Sequence, residues 1–94
     1  MTRIVSLSIR GRVQGVGYRV FLRDEALALG LGGWVRNRRD GTVEALLGGP
    51  PEAIARLVQA ARAGPPGAAV DAVEEAEAPA GTTVAAGIAV LSTE

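Results

Sequence analysis

Residues 3–30 have the sequence RIVSLSIRGRVQGVGYRVFLRDEALALG, and the three parts of this stretch decide the fold. Up to Arg10, apolar and polar side chains alternate, which predicts a β-strand with one covered face. The glycine-rich residues 11–17 then predict a loop. From Tyr18 onwards, apolar side chains recur at helical spacing, which predicts a helix that ends at Gly30. The chain therefore begins with a strand, a glycine loop and a helix.

The rest of the chain predicts a hairpin, a second helix and one or two further strands. Asp40–Gly41 is a strong hairpin signal between two short apolar strands, and Pro51 suits the first turn of a helix. The predicted elements are strands at residues 33–38, 42–48 and 69–77, a helix at 51–63 and a short apolar edge segment at 84–91. The order βαββαβ, with a possible short fifth strand, predicts an α+β fold in which two helices cover one face of an antiparallel sheet. We expect a single domain over residues 1–94.

The composition excludes most kinds of catalytic chemistry. The chain has 94 residues and contains neither Cys nor His. A disulfide framework, a thiolate nucleophile, an imidazole base and a metal site built on Cys or His are therefore excluded. All ten cationic side chains are Arg, the residue type suited to forked recognition of carboxylate and phosphate.

Charge is unevenly distributed along the chain, although the formal net charge is zero. Residues 1–39 hold eight Arg and two acidic residues, whereas residues 40–94 hold two Arg and eight acidic residues. Nucleic-acid binding would require more positive charge or stacking aromatic residues, so we expect no nucleic-acid partner. The longest uncharged stretch, residues 78–93, is too short and too interrupted by Pro and Gly to cross a membrane. With no visible signal peptide, we expect a cytoplasmic monomer without a membrane partner.

The loop that precedes the first helix is the strongest candidate for a binding site. The first N–H groups of a helix have no partner within the helix, and glycines let neighbouring N–H groups approach one another. The helix dipole adds positive charge, so the loop predicts an anion site. Arg19 in the first turn is unfavourable by about 0.3–1 kcal/mol unless an anion accompanies it. The alternatives are that Arg19 is solvated or pairs with Asp24 or Glu25.

Asn37 is the second candidate site residue. It ends a predicted strand, where Asn is uncommon, and its amide group both donates and accepts hydrogen bonds. Such a group is able to hold a water molecule in a fixed direction. The alternative is an ordinary polar residue beside the hairpin turn.

Two motifs, in this order and at this separation, resemble the signatures of the acylphosphatase family. The first is IRGRVQGVGYR at residues 9–19; the second is GWVRN at residues 33–37, followed by GTV at residues 41–43 and by Gly49. The resemblance extends over nearly the whole chain and implies the ferredoxin-like α/β sandwich. It departs from the family pattern at two places, where Tyr18 replaces the usual Phe and where no aromatic residue stands near Gly87.

The resemblance also implies a reaction, namely the hydrolysis of acyl phosphates to a carboxylate and inorganic phosphate. Arg19 would bind the phosphoryl group, and Asn37 would position the attacking water. The backbone that would wrap the phosphoryl group belongs to Gln14, Gly15, Val16, Gly17 and Tyr18. No metal or cofactor is implied, and inorganic phosphate would act as product and competitive inhibitor. Two alternatives remain open: an anion- or nucleotide-binding module without activity, and an accessory domain of a larger assembly, against which a complete domain starting at Met1 argues.

Overall fold

A computed structural model describes residues 2–94 and contains two helices and five strands in this part of the chain. In chain order the elements are β1 (Arg3–Arg12), α1 (Tyr18–Ala28), β2 (Gly32–Asn37), β3 (Val43–Gly49), α2 (Pro51–Ala63), β4 (Ala69–Glu77) and β5 (Ile88–Val90). The predicted order βαββαβ is confirmed, and the possible fifth strand is present as a short edge strand.

The five strands form one sheet in the order β4-β1-β3-β2-β5. β1 pairs antiparallel with both β3 and β4, and β3 pairs antiparallel with β2. The antiparallel sheet is confirmed for β1 to β4, and the short edge strand β5 adds one parallel pairing, with β2. The chain leaves β4 and reverses direction once while crossing to the opposite edge, and this single reversal aligns β5 with β2.

Both helices cover one face of this mixed sheet, and the core lies between the two layers. Strand residues that point toward the helices are buried, including Val5, Leu7 and Ile9 of β1. From the helices, Leu22 and Leu57 are also buried there, with Leu57 fully inaccessible. The core is aliphatic except for Tyr18, in keeping with a composition that contains a single Tyr, Phe and Trp.

β1 extends two residues further than its alternating pattern predicts. Gly11 was expected to open the loop, but it pairs with Val70 of β4 at an irregularity of the strand that follows Arg10. The extra residue is Asp71 of β4, because Arg10 and Gly11 pair with Ala72 and Val70, and such a bulge lets β4 bend while it stays paired with β1. The loop between β1 and α1 is therefore confined to residues 13–17.

The predicted hairpin at Asp40–Gly41 is confirmed, and it joins β2 to β3. The N–H of Gly41 donates to the carbonyl of Arg38 at 3.1 Å, and the N–H of Arg38 donates to the carbonyl of Thr42 at 2.8 Å. The Asp40 carboxylate accepts hydrogen bonds from the N–H and the hydroxyl of Thr42, and these bonds lower the pKa of the carboxyl group. The turn therefore holds the end of β2, where Asn37 lies, in a fixed place.

Within residues 2–94, no helix combines the length and the apolar character needed to cross a membrane.

Candidate active site

The loop between β1 and α1 is anchored at two apolar positions and open at two glycines. Val13 is buried, and Val16 packs against the core. Gly15 and Gly17 have φ angles of 75° and 77°, in the left-handed region that favours glycine. Apart from each glycine and its two chain neighbours, no atom of the described residues lies within 4 Å of the position that a Cβ would occupy at Gly15 or Gly17. Val13 and Val16 thus anchor the loop on the core, while the space beside Gly15 and Gly17 is open.

The backbone N–H groups from Gln14 to Val20 make up a continuous row of unsatisfied donors. None of them donates a hydrogen bond to another residue in the described part of the chain, and the first helical bond is that from Phe21 to the carbonyl of Gly17. The first turn of α1 contains no acidic residue, and no side chain caps it. The positive end of the helix dipole and these free donors meet at the same place, which favours an anion.

Arg19 lines a cavity of about 160 Å³ together with Gly15, Gly17 and Asn37. No carboxylate of residues 2–94 lies within ion-pair distance of its guanidinium, and Asp24 instead pairs with Arg23 at 3.0 Å. The alternative that Arg19 pairs with a neighbouring acidic residue is therefore wrong. Its charge is available to a ligand in the cavity.

Asn37 is the last residue of β2, and its side chain is only 9% exposed. Its Oδ1 atom is buried and has no hydrogen-bond partner among the described residues. A buried polar group left in this state costs about 1–3 kcal/mol, so such a group calls for an explanation. The residue also lines the cavity beside Arg19, so a molecule in that cavity would lie close to its side chain.

The side chain of Gln14 links the loop to the β2–β3 hairpin, a contact that the sequence did not predict. Its Nε2 atom donates to the carbonyl of Arg38 at 2.8 Å and to the carbonyl of Thr42 at 2.9 Å. Both N–H groups of the amide are therefore used, and the loop is tied to the turn that directly follows Asn37. No sequence pattern identifies a partner 24 and 28 residues away.

The side chain of Tyr18 points into the core, although its backbone begins α1. Its hydroxyl donates to the carbonyl of Ala61 at 2.7 Å. That carbonyl is one of the last four of α2, which have no acceptor role within the helix. Burial raises the pKa of the Tyr18 phenol well above its ordinary value.

The structure brings most of the predicted site residues to one cavity and adds three that were not predicted, Val13, Val20 and Val90. Its lining residues are Val13, Gly15, Gly17, Tyr18, Arg19, Val20, Asn37 and Val90. Gln14 and Val16 do not line it. The side chain of Gln14 is hydrogen-bonded to the β2–β3 hairpin, and that of Val16 packs against the core. Val20 was not predicted because a valine on a helix has no reactive or charged group that would mark it as a site residue. Val90 was not predicted because the sequence does not show which strand β5 pairs with. Residues 2–94 contain no cluster of three or more acidic side chains that could hold a metal ion.

A model of the family described as acylphosphatase matches residues 5–85. This chain belongs to the acylphosphatase family. It is 56% identical over 85 residues to an acylphosphatase of Azorhizobium caulinodans, an alignment that covers 87% of this chain and 91% of that protein. Acyl phosphate hydrolysis is the activity of this family, so the chain is an enzyme whose substrates are acyl phosphates.

Solved structures of acylphosphatases share the fold of this family member over almost its whole length. The crystal structure of the acylphosphatase from Bacillus subtilis superposes with a TM-score of 0.89 at 35% identity and covers 97% of this chain and 99% of that chain. An acylphosphatase from Coxiella burnetii gives a TM-score of 0.89 at 32% identity, with 96% and 93% covered. The ferredoxin-like fold is thereby confirmed.

Proposed function

We propose that this acylphosphatase holds the phosphoryl group of its substrate on the loop N–H donors and Arg19, and that Asn37 positions the attacking water. The observation that carries the proposal is the row of unpaired N–H groups from Gln14 to Val20. Of this row, Gly15 and residues 17–20 line the same cavity, and the guanidinium of Arg19 has no ion-pair partner among residues 2–94. A phosphoryl group is the ligand that both features favour, because its oxygens accept several hydrogen bonds and carry negative charge.

Positioning and charge stabilisation suffice for this reaction because the leaving group is a carboxylate, which departs readily. Arg19 would form a fork onto two phosphoryl oxygens, while the loop N–H groups bind the third. Each charge-assisted hydrogen bond contributes about 1.5–3 kcal/mol. Contacts that tighten as charge builds up on the phosphoryl oxygens lower the barrier rather than only the substrate affinity.

The water attacks phosphorus in line with the bond to the acyl oxygen. A new phosphorus–oxygen bond forms as the old one breaks, and the electron pair of the broken bond leaves with the carboxylate. The chain has neither His nor Cys, and the proton released by the water passes to an oxygen of the phosphoryl group. The products are a carboxylate and inorganic phosphate, and the latter competes for the same donors.

Replacement of Arg19 tests the phosphoryl site. Arg19→Ala should abolish measurable hydrolysis of benzoyl phosphate and inhibition by inorganic phosphate, because the fork and its charge are both lost. Arg19→Lys should give an intermediate result, since the charge stays but the two-pronged geometry does not. Arg23→Ala is the matched control: it removes an Arg from the same helix, one that already pairs with Asp24. Equal losses in Arg19→Ala and Arg23→Ala would contradict the proposal.

Replacement of Asn37 tests the position of the water. Asn37→Ala should lower kcat by about 10²–10³, the usual effect of the loss of one positioned hydrogen-bonding group. The inhibition constant for inorganic phosphate should stay close to that of the unmodified enzyme. A variant with weakened phosphate inhibition and unchanged kcat would show that Asn37 binds the phosphoryl group instead.

A further inference from the structure

Two of the most exposed apolar side chains of the protein stand at the same cavity. Among residues 2–94 the large apolar side chains with high exposure are Val20 at 47%, Leu27 at 47% and Val90 at 41%. Val20 and Val90 line the cavity that holds Arg19 and Asn37, and Leu27 does not. Apolar surface left in water at a ligand site favours a ligand with an apolar part, because contact removes both surfaces from water.

The two valines reach the cavity from separate elements. Val20 directly follows Arg19 in α1. Val90 ends β5 and is in register with Val35 of β2. Residues in register point to the same face of a sheet, so Val90 lies on the helix-covered side, as Val35 and Asn37 do. Val20 on the helix and Val90 at the edge of the sheet therefore flank the N–H groups and the guanidinium that would bind the phosphoryl group.

We propose that Val20 and Val90 form an apolar wall that receives the acyl group, and that these two side chains set the preference of this chain between acyl phosphates with a large apolar acyl group and acetyl phosphate. This inference rests on the proposed function, in which the loop and Arg19 hold only the phosphoryl end. Of the residues that line the cavity, Arg19 alone is charged, and its guanidinium is already assigned to the phosphoryl oxygens. The acyl end therefore meets mainly apolar side chains.

The test compares benzoyl phosphate with acetyl phosphate in variants that change polarity but not shape. Val20→Thr and Val90→Thr each exchange a methyl group for a hydroxyl group. In each variant the ratio of kcat/KM for benzoyl phosphate to that for acetyl phosphate should fall about three- to ten-fold, mainly through a higher KM for benzoyl phosphate. Val20→Leu should raise the same ratio, because it enlarges the apolar surface. Inhibition by inorganic phosphate, which has no acyl group, should change less than the KM for benzoyl phosphate.

Leu27→Asn is the matched control. Leu27 has the same exposure as Val20 and lies on the same face of α1, two turns further along, or about 10 Å along the helix axis. This variant should leave the ratio of the two substrates unchanged.

The outcomes separate this inference from the proposed function. An unmodified enzyme that hydrolyses neither substrate would overturn both. An enzyme that hydrolyses both substrates, with a ratio unchanged in Val20→Thr and Val90→Thr or changed equally by Leu27→Asn, would overturn the apolar wall alone. An equal loss of kcat/KM for both substrates in the valine variants would also overturn it, because loss of an apolar contact with the acyl group should affect benzoyl phosphate more than acetyl phosphate.

Discussion

At the scale of single residues, Tyr18 joins the two helices through one hydroxyl group. The ring is buried in the core, and the hydroxyl satisfies a carbonyl at the end of α2 that the helix itself leaves unpaired. The acylphosphatase pattern has Phe at this position, so this chain adds a buried hydrogen bond to a contact that is otherwise apolar. The addition links the start of α1 to the end of α2.

Tyr18→Phe should lower the free energy of unfolding by about 1–3 kcal/mol, because the carbonyl of Ala61 is then buried without a partner. Urea denaturation followed by circular dichroism measures the change. An unchanged midpoint would mean that water replaces the hydroxyl group at no cost.

The same residue should control stability in alkaline solution. The chain has no Cys and no Lys, and its single Tyr is the one side chain expected to titrate between about pH 9 and 12. Burial raises the pKa of the Tyr18 phenol in the folded protein, so above about pH 10 the unfolded chain ionises while the folded protein stays neutral. Stability should therefore be constant between about pH 6 and pH 10 and fall above about pH 10, and the alkaline fall should be absent in Tyr18→Phe. If urea denaturation showed that both proteins lose the same stability in alkaline solution, a group other than Tyr18 would be the cause.

The sequence identified Arg19 and Asn37 because each is unfavourable in its own local structure. A cation at a helix start and an amide in a strand are visible without coordinates. Val90 and the side chain of Gln14 were not predictable in this way, because their positions depend on which strand lies at the sheet edge and on where the hairpin turns.

At the scale of elements, the site depends on the relative position of the loop and the β2–β3 hairpin. β3 lies between β1 and β2 in the sheet, so the loop after β1 and Asn37 at the end of β2 are not on adjacent strands. The two hydrogen bonds from Gln14 span this separation. We therefore expect Gln14 to be a positioning residue, which acts through the loop and through Asn37.

Gln14→Leu keeps a side chain of similar size but removes both donors. We expect kcat/KM for benzoyl phosphate to fall about 10- to 100-fold, since a displacement near 1 Å has effects of this size. The control is Gln59→Leu, which makes the same exchange at an exposed position of α2. A similar loss in both variants, or a loss in kcat/KM that only parallels a loss of folded protein, would contradict a positioning role.

The order of the elements was predictable from hydrophobic periodicity and turn residues, but two details of the sheet were not. The direction of β5 depends on the path that the chain takes across the sheet after β4. The bulge at Asp71, opposite Arg10 and Gly11, depends on the register between β1 and β4, which are far apart along the chain. Neither property leaves a local pattern.

At the scale of the whole molecule, the uneven distribution of charge along the chain becomes a set of cross-strand ion pairs. Arg3 lies 3.1 Å from Glu75, and Arg36 lies 3.0 Å from Glu44. Within residues 2–94, the ion pairs join an Arg of the basic first part of the chain to an acidic residue of the second part. The exception is the pair of Arg23 with Asp24, in which both residues belong to the first part. Pairs that are this exposed contribute little stability one by one, so the stability must come mainly from the aliphatic core.

Leu57→Ala tests the contribution of the core. Leu57 is fully buried between α2 and the sheet, and its truncation should lower the free energy of unfolding by about 2–5 kcal/mol. The melting temperature should fall by roughly 4–8 °C for each kcal/mol. Arg56→Ala, at the exposed neighbouring position, should change it little. If Leu57→Ala and Arg56→Ala lowered the melting temperature equally, burial in the core would not be the main source of stability.

β4 forms one outer edge of the sheet and pairs only with β1. It is nine residues long and contains Asp71, Glu74, Glu75 and Glu77. A long unpaired edge invites strands of other molecules to join it and start fibrous aggregates, and charge along the edge is a common defence. Two molecules that met along β4 would bring four carboxylates of each together, although Glu74, Glu75 and Glu77 are paired with Arg10 or Arg3 of β1. The opposite edge, β5, is only three residues long. We therefore expect both edges of the sheet to disfavour strand pairing between molecules, β4 through its carboxylates and β5 through its short length.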